Sequence, residues 1–578
     1  MMQNTKMTRF RLRTGMLLIV LLGLIIYFNS LQNDFITGDD EDQIINNRQV
    51  HSWKNIPAHF VGSTYFREEN DTAYGLYYRP LMQTVYSLIY NAVGPDPLYF
   101  HLTQLLLHIG NALLVFLLFK QFGKIVWAFL AALIFLVHPL NSEAVLHIAN
   151  MQENLFFFFG SLALIILTQS PNPKLTLNRA LGIGTGLLFS LLAKETGGLF
   201  LLIAVWYVFL LQRKMLPQIL TVVGVTGGIY GFMRGLAGIG WGSDSIAPIN
   251  HVSLGVRLLT IPRIIWEYLY KFIFPQQLSL AQFWVVQRVT FTDFVLPLIG
   301  VGLVMWGLWY GRKELGRGIT PDKKGAYSFF LLWFWLGLLV HIQLIPLDAT
   351  WAERWFYFPL VGLLGCLVLI MTEVRIRRRY LIISASLILL LALRTLVRSF
   401  DWYDSKTLLT HDIALTQGNY YLENMLGALY IQDKNYAAAG PYIESSVAAY
   451  PYFGNLTNLG IIYLKQKNYP QAKIYFEKAL EARGNYATYQ NYANFLLYIL
   501  KDYQAAHDFT EKSVVRYPKA GLMWLVLAQA QYYLGEKDQA LASSWTAFTL
   551  KPFDMTYDVY LTIREGGILD TEKYLRQE

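Results

Sequence analysis

The chain has 578 residues, of which 54% are hydrophobic and only 15% charged; a soluble enzyme of this length carries a larger charged share. Lys and Arg (48) outnumber Asp and Glu (39) for a net charge of +9, but the positive charge gathers in short loops between apolar runs, which speaks for a membrane and against a nucleic-acid partner. The single cysteine, Cys366, rules out an intrachain disulfide and a Cys-based zinc cluster.

A basic start (Lys6, Arg9, Arg11, Arg13) precedes an apolar stretch from Met16 to Tyr27 with no small-x-small cleavage site, the pattern of a retained signal anchor. Further apolar runs of membrane-spanning length predict spans near 14–31, 101–119, 125–141, 151–169, 179–193, 196–212, 215–233, 293–311, 326–346, 355–372 and 380–398, about eleven in all. Basic residues mark the inner connections: Lys120 and Lys124, Lys174 and Arg179, Arg213 and Lys214, the 312–324 loop, and Arg375 to Arg379. Residues 254–274 are apolar enough to cross, but crossing would put the 312–324 loop outside. With Arg257, Arg263, Glu267, Lys271 and an internal Pro262, this stretch reads as an amphipathic helix at the outer surface or against the bundle. A twelfth span with a rearranged partner is the alternative. Eleven spans place the C-terminus on the same side as the first outer loop.

After Arg398 the long apolar runs end. Asn435-Tyr436-Ala437 recurs as Asn468-Tyr469-Pro470 and as Asp502-Tyr503-Gln504, and weakly at Lys537-Asp538-Gln539. Ala439, Ala472, Ala506 and Ala540 lie 33, 34 and 34 residues apart, and Pro451, Pro518 and Pro552 keep the same phase. That period, with small residues where two helices cross, is the tetratricopeptide signature; an ordinary helical bundle does not keep four units in phase. Such solenoids present concave binding surfaces. The fold class is therefore all-α: a polytopic transmembrane helical bundle at 1–399, followed by a tetratricopeptide-repeat α-solenoid at 400–578 with about four repeats over 420–555.

Chemistry concentrates in loops on one side of a membrane bundle. The first outer loop, 32–100, holds the acidic run Asp39 to Asp42 and Tyr77-Tyr78-Arg79-Pro80-Leu81. The second runs from His138-Pro139 through Ser142-Glu143-Ala144-Val145 to Glu153. Then come the tight turn Ala193-Lys194-Glu195-Thr196-Gly197 and the later turn Trp351-Ala352-Glu353-Arg354-Trp355-Phe356-Tyr357. Each has a bland counterpart. An acidic run is often a solvated loop, Arg79 can anchor a helix at the headgroups, and Lys194-Glu195 and Glu353-Arg354 can be local ion pairs. His101, His108, His138 and His147 lack zinc spacing. No phosphate-binding Gly loop and no Gly-x-Ser-x-Gly elbow is present. Taken together, carboxylates and cations converge on one membrane face. A general base with cationic phosphate clamps suits group transfer from a lipid-linked phosphate.

These loops resemble the GT-C class of integral-membrane glycosyltransferases, and within it the transmembrane and tetratricopeptide-repeat O-mannosyltransferases and their prokaryotic relatives. The likeness is carried by Phe35 with Asp39-Asp40, Ile44 and Asn47; by Arg79-Pro80-Leu81; by His101-Leu102-Thr103-Gln104-Leu105-Leu106-Leu107-His108; and by His138-Pro139 with Ser142-Glu143-Ala144-Val145. Lys194-Glu195, Glu353 to Pro359, and Arg398 with Trp402 complete it. One segment departs from the family. Ala149-Asn150-Met151-Gln152-Glu153 stands where Gly-Arg-Ala-Asp/Glu is common, so an arginine is missing near the donor phosphate.

The resemblance implies a transferase that moves a sugar, with mannose one candidate, from a polyprenyl- or dolichyl-phosphate donor to a hydroxyl, with inversion. The acceptor would be a glycan or Ser/Thr of a protein presented by the repeats. Asp40 or Asp39 would be the base, with Asp40 preferred. Arg79, Lys194 and Arg354 would bind the donor phosphate, and Glu143, His101, Glu195, Glu353 and Tyr357 would position substrate. No metal ligand is assigned and no cofactor is implied beyond the lipid-linked donor, with a divalent metal left open. The expected setting is a prokaryotic cell membrane or the ER membrane, with active site and repeats on the periplasmic, extracellular or lumenal side. The competing readings are a transporter or flippase of lipid-linked sugars and a non-catalytic scaffold that binds partners through its repeats.

Overall fold

The structure is a computed structural model that describes residues 2–67, 72–74, 77–169, 175–240, 245–315, 321–416 and 418–570. It divides into two compact units, residues 1–66 with 73–416, and residues 67–72 with 417–578. Each of the eleven predicted spans falls on a helix, starting with Met2–Tyr27 and ending with Arg378–Asp401. Among the described residues, seven helices are long and apolar enough to cross a membrane, eight if the bent pair Ile125–Val137 and Pro139–Leu146 is one span. The chain is thus a multi-pass membrane protein, and its count by length and composition falls short of eleven. Leu177–Ala193 and Glu195–Leu211 are apolar but short.

The centre of the first unit is aromatic. Phe200 packs edge-on against Phe157, Trp333 and Phe358, with ring centroids 5.8, 5.5 and 5.1 Å away. Gly362 lets the helix Tyr357–Glu373 meet the backbone of Pro321–Leu339: a Cβ there would lie 2.3 Å from the Phe334 nitrogen. The segment expected to be amphipathic is the helix Leu254–Ile273, which begins at the Ser253 cap, buries Thr260, Ile264, Ile265 and Tyr268, and leaves Leu254, Leu258 and Tyr270 exposed. It is absent from the span candidates among the described residues. The outer loops contain short helical turns, a two-stranded sheet (Tyr65–Arg67 with Thr72–Tyr74) and the helix Pro80–Val93.

The first unit continues past the expected boundary at 399/400 and takes in the helix Ser405–Leu415. The reason is a buried ion pair: Arg398 meets Asp412 with two bonds of 2.6 and 3.1 Å, and Asp412 also accepts the Leu280 N–H at 2.7 Å.

The second unit stacks paired helices: Tyr420–Gln432 with Tyr436–Ala449, Phe453–Lys465 with Tyr469–Glu481, Tyr486–Asn494 with Tyr503–Arg516, and Gly521–Tyr533 with Lys537–Leu550, closed by Asp554–Glu565. The recurring Asn-Tyr or Asp-Tyr is a helix start. The side chains of Asn435, Asn468 and Asp502 cap the N–H groups of Ala438, Gln471 and Ala505. The residue before each cap turns the chain with positive φ: Lys434, Lys467 and Lys501 at 60°, 60° and 53°, and Gly535 at 84° one residue before Glu536 in the last unit. The four in-phase alanines are fully buried, and at Gly460 a Cβ would come within 2.7 Å of Phe476.

Candidate active site

The first outer loop leaves the helix Met2–Tyr27 through the short turn Phe28–Gln32 and doubles back at Gly38, whose φ of 93° favours glycine. This reversal sends consecutive aspartates in opposite directions. Asp40 points inward and is fully buried. Its oxygens accept the N–H groups of Ile36 at 2.8 Å and Ala149 at 2.6 Å, and His147 Nε2 lies 3.3 Å away. Burial pushes its carboxyl up to about 8 against the pull of those two N–H groups. Asp39 is exposed, and its Oδ1 accepts a 3.4 Å bond from the Tyr65 hydroxyl. Surrounding protein also raises its carboxyl above the ordinary range, with the Asp348 charge adding to the effect and Arg354, Tyr65 and Arg79 opposing it. Asp39 is an accessible carboxylate.

Arg79 and Arg354 act on it, and these cations, like Lys194, are each held by a carboxylate. Arg79 Nε lies 3.3 Å from Glu195 Oε2, and its guanidinium sits 4.3 Å over the Tyr77 ring. Glu195 also accepts the Tyr78 N–H at 2.8 Å and lies 3.4 Å from Arg234. Burial works to raise the Glu195 carboxyl, but Arg79, the Tyr78 N–H and Arg234 prevail and hold it below the usual range. Lys194 pairs with Glu153, and burial still lowers the Lys194 ammonium. Arg354 pairs with the fully buried Glu143, which accepts the Arg354 backbone N–H as well, at 2.9 Å.

These pairs belong to one electrostatic neighbourhood. Glu153 acts on Arg79, Lys194 and Arg354, and Arg354 and Arg79 both act on Asp39. The structure therefore brings together Asp39, Arg79, Lys194, Glu195, Arg354 and Glu143.

Three expected positioning residues bond to other partners than the cations, although Glu143 acts on Glu353 and Glu153 on Tyr357. His101 is buried beside the Asp34 backbone and next to His147. Tyr357 is inside the bundle, its hydroxyl within 2.9 to 3.0 Å of His108 Nδ1, Asn111 and Asn154. Glu353 turns away from Arg354; it accepts the Ser279 N–H at 2.6 Å and belongs with Lys271, Arg398 and Asp412. Sequence reasoning did not find Arg234, Tyr65 or Asp348. Arg234 had a usable signal, as a charge one turn from the end of an apolar helix. Asp348 and Tyr65 had none, being single polar residues, one in an irregular loop and the other opening a three-residue strand. Among the described residues no three His, Cys, Asp or Glu side chains converge as a metal-binding group.

The tetratricopeptide repeat family model matches residues 455–486, within the second unit. A protein O-mannosyl-transferase of Caenorhabditis elegans, F38B6.6, is 23% identical over 438 residues, covering 72% of this chain and 59% of the relative. The human protein O-mannosyl-transferase TMTC2 is 32% identical over 238 residues, 39% of this chain and 27% of that one. The chain spans about half the length of the curated relatives that it matches most broadly. A solved archaeal oligosaccharyltransferase, AglB of Archaeoglobus fulgidus, overlays with a TM-score of 0.39 at 13% identity, over 77% of this chain and 60% of that chain, too distant to carry an argument. By sequence and by its repeats, the chain resembles the transmembrane and tetratricopeptide-repeat O-mannosyltransferases.

Proposed function

We propose that this chain, like the O-mannosyl-transferases it resembles, is a membrane glycosyltransferase, and that it takes its sugar from a polyprenyl- or dolichyl-phosphate donor. The observation that carries the reading is the cluster of cations beside the accessible carboxylate Asp39: Arg79 and Arg354 act on it directly, and Lys194 is tied to both through Glu153. Cations of this kind, prearranged by Glu195, Glu153 and Glu143, stabilise charge that develops on a departing phosphate.

In the proposed step Asp39 takes the proton of an acceptor hydroxyl. The oxygen attacks the anomeric carbon from the side opposite the phosphate. The new C–O bond forms as the carbon–phosphate oxygen bond breaks, the configuration inverts, and the lipid phosphate leaves onto the cations. Asp39 takes the role of base in preference to Asp40, because Asp40 is buried with its oxygens committed to Ile36, Ala149 and His147. Asp40 then acts as a positioning residue that clips the loop to the 147–149 segment. The acceptor on this reading is a hydroxyl of a protein or glycan delivered by the repeats, on the non-cytoplasmic side.

The test is transfer by the purified full chain from a panel of radiolabelled lipid-phosphate sugars, with Asp39→Asn alongside. Release of label by the wild type and its loss in Asp39→Asn support the assignment. A wild type that releases no label from any donor refutes the function.

A further inference from the structure

Five carboxylates stand in or beside the proposed site, and they fall into two kinds. Glu143, Glu153 and Glu195 are committed to cations: Arg354, Lys194, and Arg79 with Arg234. Asp39 and Asp348 meet tyrosine hydroxyls instead. Tyr65 donates to Asp39 at 3.4 Å and Tyr77 donates to Asp348 Oδ2 at 3.0 Å, and the two tyrosine rings are neighbours with centroids 6.0 Å apart. Asp39 and Asp348 are also the two that stay exposed. Both interact with Arg354, and both act on Tyr65. Two accessible, hydroxyl-bonded carboxylates thus share the electrostatic neighbourhood of the guanidinium assigned to the phosphate.

The loop that carries Asp348 is fixed from behind. Gln343 is fully buried in the left-handed region, with φ of 65°. Its amide donates to the carbonyls of Ala349 at 2.8 Å and Thr350 at 3.0 Å, and accepts the Leu347 N–H at 2.9 Å. Asn250 donates to the Leu347 carbonyl at 2.6 Å, and Thr350 donates to the Gln282 carbonyl at 2.9 Å. The carboxylate at 348 is therefore presented on a braced support, which is what a recognition group needs.

Resting on the glycosyltransferase reading above, we propose that Asp348 is a specificity-determining residue that accepts hydrogen bonds from hydroxyl groups of the sugar on the donor lipid. An ionised carboxylate offers acceptors only, with two oxygens that reach two adjacent hydroxyls. With the phosphate on Arg354 and Arg79, the first sugar ring would lie beside Asp348, which shares Tyr77 with Arg79 and acts on Arg354. Tyr77 keeps one Asp348 oxygen oriented, and its ring, covered on one side by Arg79, adds an aromatic wall. Asp39 serves the acceptor hydroxyl, and Asp348 serves the donor's. The ligand class this selects is a polyhydroxylated hexose on a polyprenyl phosphate.

The test compares binding of two probes by the full chain in detergent: a short-chain polyprenyl phosphate, and the same lipid bearing a hexose. The proteins are wild type, Asp348→Ala, Asp348→Asn and Asp39→Asn. The wild type and Asp39→Asn are expected to bind the sugar-bearing lipid more tightly. Asp348→Ala is expected to lose about 10- to 100-fold of that preference, the worth of charge-assisted bonds to hydroxyls, while its affinity for the bare lipid is unchanged. Asp348→Asn, which retains one acceptor, falls between.

Asp348→Ala that keeps the full preference overturns the proposal, as does an equal change in affinity for both probes, a gain marking charge balance alone and a loss marking structural support alone. A wild type that binds both lipids equally overturns it too, while leaving the phosphate site standing. A wild type that binds neither sinks the glycosyltransferase reading and this inference with it.

Discussion

Asp39→Asn and Asp40→Asn make the same exchange of one carboxylate oxygen for an amide nitrogen at neighbouring residues, yet the structure requires opposite phenotypes. Asp40 presents an acceptor to two backbone donors, Ile36 N–H at 2.8 Å and Ala149 N–H at 2.6 Å, in a fully buried setting. An asparagine has one acceptor and one donor group at the same positions, so one N–H is left facing another. A buried donor left without its acceptor costs about 1–3 kcal/mol. Alanine strands both donors and costs roughly twice that. Asp39 is exposed, and its replacement should move stability by about 0.5 kcal/mol or less. Removing a general base lowers the rate about 100- to 10,000-fold.

The protein carries its own stability reporter. Cys366 is the only cysteine and is buried, so a thiol-reactive dye reads unfolding alone. Asp40→Asn and Asp40→Ala should melt progressively lower while retaining transfer in the folded fraction. Asp39→Asn should melt like the wild type and transfer little. An Asp40→Asn protein with wild-type melting and no transfer, beside an active Asp39→Asn, would refute the reasoning and return the base to Asp40. Wild-type rates in both variants and in the double variant would remove the base from this loop.

The acid limb of kcat/KM should lie above the ordinary carboxylate value of about 4, because the surrounding protein and the Asp348 charge raise Asp39 and the base works only when ionised. Asp348→Asn removes an anion and should move the limb to lower pH, whereas Arg354→Gln removes a cation and should move it higher; a pH–rate series that shifts the opposite way excludes Asp39 as the titrating group. Glu143→Gln breaks a buried ion pair from the inside and should cost about 3–5 kcal/mol in melting measurements. The double variant Glu143→Gln with Arg354→Gln should cost less than the sum of the singles, and simple additivity would show that the pair is not coupled. Removal of residues 418–578 should change which acceptors are modified more than it changes hydrolysis of the donor, and an equal fall in both would make the repeats structural supports.

Periodicity made the helices legible. Apolar runs and the 33- to 34-residue repeat placed both classes of element, and even the Asn-Tyr motif had a local cause in helix capping. Span counting was less reliable, since Leu177–Ala193 and Glu195–Leu211 are apolar without being long. The domain boundary was hidden because Arg398 and Asp412 announce their pairing in no local pattern. The site was legible as a set of loops but not as a set of partners. Nothing in the run Gly38-Asp39-Asp40 distinguishes the accessible acid from the buried one. That distinction depends on an N–H supplied by Ala149, more than a hundred residues away in the chain. Asp348 was invisible for the same reason, as its meaning comes from Tyr77 and Arg354.

The two opposite-charge doublets show why adjacency misleads. Lys194-Glu195 and Glu353-Arg354 read as self-neutralising pairs. In the structure Lys194 goes to Glu153, Glu195 to Arg79 and Arg234, Arg354 to Glu143, and Glu353 to the Ser279 N–H. Local geometry forces the separation. Lys194 is extended, with φ of −159° and ψ of 143°, and a short 3₁₀ turn begins at the next residue. Glu353 likewise opens a 3₁₀ turn after the extended Ala352. Neighbours in an extended chain point to opposite faces, and neighbours in a 3₁₀ turn diverge by about 120°. Neither doublet can close on itself, so each charge takes a partner from another segment. At a bundle rim where unpaired charge is costly, those crossed pairs fix several helices to one another, and they leave the cations prearranged around the one loop where Asp39 remains open.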